Sequence, residues 1–468
     1  MHERREHPLI DGMVRAAGQL EIADPATGAV VGRHRMASAV EVRDAVQRAR
    51  TAYRHWRTVP ASGRGAALAE AADAVRVRAG RLAELVHRET GATMAAARAE
   101  VAAAAATLDR LAVLAPLHRG PGPREVVDPI DCRVTEPRGV AAVITPWHRP
   151  LAVAAGLIGA ALATGNTVVH KPSERCPQLG VRFGEIIGAG LPRGVLTTVV
   201  GDGRSGALLA ADPDVDVVAH AGSGTTAQAI AMAAALTGAR VIAEPSGRRP
   251  LLVDAGVDPA WAAKQAAAAA FTTSGRQRIY LHRAVADTFL KALVAEAHAV
   301  NGSGELPPLA DRQLRAIIAA QVAEAAASGA RCLTGGVVPP GPGAFYPATV
   351  LCDCTPSMEV LAGDAVGPVA PTMVVDSFDD ALRAAASRGR GAAVTVLTTD
   401  LEHARRAIVE LPAGTLTMNS GVEPGPLPSG ADEVEAVDGV ADDALGYGPW
   451  LLDGFTRVKV VLWPAARR

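Results

Sequence analysis

The stretch GVAAVITPWHRPLAVAAGLIGAALATGNTVVHKPSE (139–174) decides the fold. Two short apolar runs, VAAVI (140–144) and TVVH (167–170), bracket an apolar segment of helix length, 151–163. Strands that are apolar on both faces belong in a parallel sheet covered by helices on each side. The first run ends at Thr145-Pro146-Trp147 and the second at Lys171-Pro172-Ser173-Glu174. The pattern repeats downstream. VLTTVV (195–200) ends at Gly201-Asp202-Gly203, VDVVA (215–219) at Gly222-Ser223-Gly224, and RVIA (240–243) at Glu244-Pro245-Ser246-Gly247, with helical segments between them. Each polar or Gly-rich motif lies just past the carboxyl end of a strand, which is where open α/β sheets bind ligands.

Upstream, Ser38 and Glu41 form a capping-box pair ahead of a helix with Val42, Val46, Ala49, Tyr53 and Trp56 on one stripe. A second amphipathic helix is expected through Leu68, Val75, Leu82 and Leu85, and an Ala-rich third after Gly91. GPGPR (120–124) interrupts, and 125–136 reads as extended. A second α/β texture starts near Pro250, with candidate strands at 251–253, 278–282, 370–375, 393–398 and 414–419. Residues 421–444 read as a Gly/Pro-rich, then acidic, solvated loop. The alternating tail FTRVKVVLW (455–463) is too apolar to stay free in water and, with 125–136, is expected at a subunit interface.

Composition excludes several classes. Lys+Arg number 47 and Asp+Glu 48, so the chain lacks the basic footprint of a nucleic-acid or anionic-membrane binder. No apolar run reaches the ~18 residues of a transmembrane helix, and the polar start is not a signal peptide, so a cytoplasmic protein is expected. The 5 cysteines fit neither a disulfide framework nor paired zinc spacing. Cys352 and Cys354 alternate, one expected to face in and one out. Of the basic residues only Lys171, Lys264, Lys291 and Lys459 are lysines. A lysine at 171 in so arginine-rich a chain suggests a need for a point charge with rotatable donors; the bland alternative is a solvated strand end. Gly222-Ser223-Gly224 is either a cradle for a diphosphate at a helix N-terminus or an ordinary turn. Glu244 is either a general base or a cap.

The order of motifs carries more than any one of them. ITPWHRP, HKPSE, LPRGVLTTVVGDG, AGSGTT, IAEPSGRRP, AAFTTSG and AVGPV, with DPATGAVVG (24–32), HRETG (87–91) and DGFTRVKVV (453–461), resemble the aldehyde dehydrogenase superfamily over nearly the whole chain. The resemblance implies a Rossmann-like dinucleotide-binding domain (1–118 and 138–246), a second, catalytic-type α/β domain (247–425) and β oligomerisation segments (119–137 and 446–468). It implies NAD, with NADP as the alternative cofactor, and a homodimer or homotetramer acting on a small-molecule substrate. Lys171 and Glu174, with Ser173 between them, match the pair that holds the adenosine ribose; a carboxylate there favours NAD. Gly222 and Ser223 match the diphosphate turn, and Asp364 the nicotinamide-ribose carboxylate, one methylene shorter. Thr145, Pro146 and Trp147 match the wall beside the nicotinamide, and Glu244 the general base.

The departures fall in the chemistry. His148 and Arg149 stand where the family has the Asn-Phe of its oxyanion hole, and Pro245-Ser246-Gly247-Arg248 replaces Leu-Gly-Gly-Lys. The nucleophile loop is several residues short: only Arg276 and Gln277 separate FTTSG (271–275) from Arg278-Ile279-Tyr280, and the family's cysteine is missing. Three readings follow. The chain is an NAD(P)-dependent oxidoreductase without a cysteine nucleophile, with Glu244 moving a proton and His148 supplying a hydrogen bond; or a silent homologue with a binding role; or a fold recruited to non-redox chemistry. Ser274 or Thr273 as a substitute nucleophile has no evident activating base. His148, Arg149, Arg248, Arg249, Arg276 and Arg278 gather beside the motifs of the centre. They either receive an anionic aldehyde or imine, bidentately, or reflect composition alone.

Overall fold

The computed structural model describes residues 18–118, 130–245, 249–275, 277–363, 366–386, 391–420 and 449–463. The Gly/Pro-rich loop at 421–444 and the GPGPR break therefore lie outside the described residues, as do Asp364, Arg276, Arg248, and the side chain of Glu244.

A hairpin of β1 (Gln19–Ala23) and β2 (Val30–Arg35) leads into α1 (Ala39–Trp56), whose capping box forms as the Ser38/Glu41 spacing predicts. The expected single helix through Leu68, Val75, Leu82 and Leu85 is two: α2 (Ala61–Val77) and α3 (Ala79–Thr90), broken at Arg78 (φ −107°, ψ 14°). The break swings the apolar face of α3 against the long α4 (Met94–Leu117), which a straight continuation of α2 would miss.

β3 (Ile130–Pro137) precedes the first sheet. Its elements are β4 (Val140–Ile144), α5 (Pro150–Ala163), β5 (Thr167–Lys171), α6 (Pro177–Gly188), β6 (Leu196–Thr198), α7 (Gly203–Ala210), β7 (Val217–Gly222), α8 (Gly224–Thr237) and β8 (Arg240–Pro245). All pairs are parallel, in the order β6-β5-β4-β7-β8. Every residue of β4 and of α5 is buried, so their apolar runs are core on all sides. From β4 the chain winds outward to β6, then returns to β7 on the other side. The crevice at the carboxyl ends of β4 and β7 is thus the topological switch point.

The second sheet contains β9 (Arg249–Val253), α9 (Pro259–Ala270), β10 (Gln277–His282), α10 (Ala286–Ser303), α11 (Arg312–Ala327), β11 (Arg331–Thr334), β12 (Thr349–Cys352), α12 (Glu359–Ala362), β13 (Val369–Val375), α13 (Phe378–Ala386), β14 (Gly391–Leu397), α14 (Leu401–Glu410) and β15 (Ala413–Met418). Its order is β11-β12-β13-β10-β9-β14-β15, parallel except for β11. Neither β11 nor β12 is legible in the sequence, being four residues each and unframed by a clear alternation. The expectation that Cys352 and Cys354 face opposite ways is corrected: both are buried. Asp353 between them has φ 57°, and that left-handed residue breaks the alternation.

After α15 (Pro449–Gly454), β16 (Thr456–Trp463) pairs antiparallel with β3 of the same chain over its full length. The extended tail thus finds its first partner within its own chain. Val134, Val458 and Val460 remain exposed on this ribbon.

Candidate active site

Helices α5 to α8 all start at the carboxyl edge of the first sheet, and each N-terminus presents unpaired N–H groups and a partial positive charge. Three of these ends are closed by acidic side chains. Glu100 of α4 accepts from the N–H groups of Leu151 and Ala152 at 2.9 and 3.0 Å, closing α5. Glu89 of α3 accepts from Gln178 and Leu179 at 3.3 and 2.8 Å, closing α6. Asp202 caps α7 by accepting from Arg204. Only α8 is capped by a hydroxyl, that of Ser223, which accepts from the Thr226 N–H at 3.2 Å. Its first turn is exposed at Thr225 and Thr226. The end best suited to a diphosphate is therefore that of α8, where Gly222 and Ser223 stand.

Lys171 ends β5 beside this crevice and is 3% exposed. Its ammonium donates to the carbonyls of Gly201 (2.9 Å) and Pro172 (3.0 Å) and lies 3.6 Å from the Glu174 carboxylate. A single nitrogen serving three acceptors in different directions is work for an ammonium rather than a planar guanidinium. Burial pushes the Glu174 carboxyl up, but the charges of Lys171 and Arg175 outweigh it and hold it below its usual range. Arg175 in turn donates to Asp311, the N-cap of α11, at 2.6 Å and ties this loop to the second domain. Ser173 is buried and its hydroxyl accepts from the Arg175 N–H.

Thr145 ends β4. Its N–H donates to the Lys171 carbonyl, and its hydroxyl meets His170 Nε2 at 2.9 Å. Burial and the Lys171 charge hold His170 down to about 3, so its ring is neutral. Pro146 and Trp147 follow. Trp147 packs against the apolar clusters of both domains, as a wedge between them, and meets the His148 ring edge-on at 6.2 Å. Arg149 is the N-cap of α5 with φ 45° and ψ 48°, a left-handed conformation that is costly for a non-glycine residue. Glu244 lies on β8, its backbone in register with Ala221 of β7, one residue before Gly222. The structure thus brings Thr145, Pro146, Trp147, His148, Arg149, Lys171, Ser173, Glu174, Gly222, Ser223 and the backbone of Glu244 to one edge of one sheet.

Arg278 lies apart from them, on β10 of the second sheet. It is 2% exposed, and its guanidinium donates to the carbonyls of Leu361 (3.2 Å), Gln277 (3.1 Å) and Gly363 (2.7 Å). Arg278 lies at the start of β10, where Gln277, Arg278 and Ile279 are all buried, and its fork anchors the 361–363 turn.

The shortened loop is closed by main chain. The Gly275 N–H donates to the Thr272 carbonyl at 3.1 Å, and the Gly275 carbonyl accepts from the Gly367 N–H at 2.9 Å. A Cβ on Gly275 would lie 2.3 Å from the Ala270 carbonyl oxygen and 2.8 Å from that of Gly367, so only glycine fits. No described cysteine enters this loop. Burial pushes the thiols of Cys176, Cys332 and Cys352 up, and that of Cys354 up to about 12. The backbone of Cys132 is on β3, paired with Val461 in the ribbon.

Sequence reasoning missed the caps that Glu89 and Glu100 supply from other helices. HRETG holds Glu89, but only the packing of α3 on α6 shows what Glu89 holds.

Comparison with known proteins agrees with this architecture. The profile of the aldehyde dehydrogenase family matches residues 13–440. Lactaldehyde dehydrogenase of Escherichia coli (strain K12) is 30% identical over 439 residues, covering 88% of this chain and 90% of that protein. The crystal structure of lactaldehyde dehydrogenase from Escherichia coli superposes with a TM-score of 0.88 at 27% identity, covering 97% of each chain. An NAD-dependent aldehyde dehydrogenase from Sinorhizobium meliloti gives 0.88 at 28% identity, covering 97% of this chain and 93% of that one. An NADP-dependent enzyme of E. coli gives 0.87 at 25% identity, covering 96% of this chain and 95% of that one, so both dinucleotides occur among the similar structures. A parallel sheet, a second sheet parallel but for β11, and a match spanning the fold from end to end lead to one assignment: the chain belongs to the aldehyde dehydrogenase family.

Proposed function

We propose that the chain is an NAD(P)-dependent oxidoreductase that acts on a small aldehyde, aldehyde hydrate or imine without a cysteine nucleophile. The observation that carries this reading is the loop at 271–275, closed by Gly275 against Gly367 with no described thiol in it.

The residues present fit a nicotinamide dinucleotide. Lys171 and Glu174 would hold the adenosine ribose, and Gly222, Ser223 and the α8 N-terminus the diphosphate. Thr145, Pro146 and Trp147 would wall the nicotinamide, and Asp364 hold its ribose. When bound, the dinucleotide supplies the hydride acceptor or donor. NAD is the preferred form, because the Glu174 carboxylate would face a 2′-phosphate and its neighbour Arg175 is already committed to Asp311.

A hydrate carbon already carries a second heteroatom and can give up a hydride directly, while an imine carbon can accept one, so neither needs covalent activation. Glu244 takes or gives the proton, and His148 supplies a hydrogen bond to the substrate heteroatom. Arg149, with Arg276, favours an anionic substrate. The exposed valines of the β3–β16 ribbon support a homodimer or homotetramer, which light scattering would test.

A second reading, a silent homologue, is favoured by the same tight loop, which leaves Glu244 no acyl-enzyme to hydrolyse. The deciding experiment is turnover of small aldehydes with NAD before and after thiol alkylation, with mass spectrometry of the protein. Activity that survives alkylation with no acyl adduct supports the proposal. Acyl trapping on any cysteine overturns it, and absence of turnover with NAD binding intact favours the silent reading.

A further inference from the structure

His220 belongs to no motif discussed above. It sits near the end of β7, two residues before Gly222, and is 4% exposed. Residues in register on neighbouring parallel strands point to the same face, and Lys171, Ile144 and His220 share one register line across β5, β4 and β7. His220 therefore lies on the same face of the sheet as Lys171. Its ring is pressed against Gly222: a Cβ there would come within 2.6 Å of Cε1 and 2.9 Å of Nε2.

Among the described residues neither ring nitrogen makes a hydrogen bond of full geometry, and only the main-chain groups of Ile144 and Ser223 act on it as weak partners. Burying polar atoms unpaired is costly, and such groups call for an explanation. Burial holds the imidazole down to about 4, with Lys171 pushing the same way, while the main-chain groups of Ile144 and Ser223 pull it back up. Among the elements packed around the ring, β5 brings the Lys171 charge, and β4 and the start of α8 bring only main chain. A neutral imidazole donates from one nitrogen at most, whereas the imidazolium donates from both.

We propose that His220 is a positioning residue for the dinucleotide's diphosphate, gaining a proton from solvent when the diphosphate docks at the α8 N-terminus. The negative charge above the Gly222–Ser223 turn offsets the Lys171 charge, and the doubly protonated ring then donates to main-chain carbonyls that bracket that turn. No bond is made or broken besides that to the proton. The inference rests on the dinucleotide reading above.

The test is the pH dependence of NAD affinity, by calorimetry, in the whole protein and in His220→Phe and His220→Gln. A diphosphate diester has no proton of its own to exchange between pH 5.5 and 7.5, and Glu89 is unchanged in every variant. Wild-type affinity should tighten by about tenfold from pH 7.5 to 5.5, since binding is linked to proton uptake. Both variants should be flat over this range relative to wild type, and adenosine, lacking the diphosphate, should show no such trend. His220→Phe should melt no lower than wild type, because it removes two weakly partnered buried nitrogens; His220→Gln serves if the Phe variant does not fold. Equal pH dependence in wild type and either variant overturns the inference while leaving dinucleotide binding in place. A wild type that binds no NAD at any pH overturns both.

Discussion

The N–H of Gly367 donates to the carbonyl of Gly275 at 2.9 Å, so the turn before β10 is sealed onto the segment before β13 by main chain alone. A side chain at 275 would have to displace two carbonyl oxygens, neither of which is the end of a flexible group. Gly275→Ala should therefore destabilise the protein by about 2 kcal/mol, the usual cost of overpacking a tight site. Chemical denaturation measures it; a midpoint equal to wild type would show that the loop has room to spare.

Lys171→Ala should weaken NAD binding by at least about tenfold, as expected when a charged hydrogen-bond donor is lost from a binding site. It also leaves the Gly201 and Pro172 carbonyls and the Glu174 carboxylate without their shared cation. Calorimetry on folded variant protein reads this directly. Undiminished affinity would remove Lys171 from the cofactor site.

Glu89 sets a pH dependence of stability. Burial pushes its carboxyl up to about 7, against N–H groups of Leu179 and Gln178 that pull it down. The folded chain thus holds a proton that the unfolded chain gives up near its ordinary value of about 4.5. The contribution is fully present below that value and is lost as pH rises through about 7. Glu89→Gln keeps an acceptor for the α6 N-terminus but cannot ionise. Its stability relative to wild type should rise by about 2–3 kcal/mol between pH 5 and 8. Parallel denaturation curves at both pH values would contradict this.

Arg149 is held in a left-handed conformation at the head of α5, a strain that buried sites retain when it places a side chain. Carboxylate- or phosphate-bearing aldehydes should raise the melting temperature more than neutral analogues, and Arg149→Ala and Arg276→Ala should each reduce that difference. Equal responses to neutral and anionic ligands, in wild type and variants alike, would assign these arginines to surface composition.

The alternation of apolar runs and helices from 139 to 245 was enough, in sequence, to specify a parallel sheet and its ligand edge. Burial on both faces demands continuous apolar strands, and the chain's polar motifs can only follow them. The motif order placed the family, the cofactor class and the short loop at 271–275. What stayed hidden depends on contacts between residues distant in the chain. Nothing local to Glu89 or Glu100 says that each closes a helix from another layer, leaving α8 as the one end of the four capped by a hydroxyl. Nothing local to Arg278 says that its fork anchors a turn 83 residues away. Nor does a histidine in an apolar strand show that it shares a register line with Lys171 and lies against Gly222. Periodicity fixes which face a side chain takes, but which partner it meets on that face is set only when the layers pack.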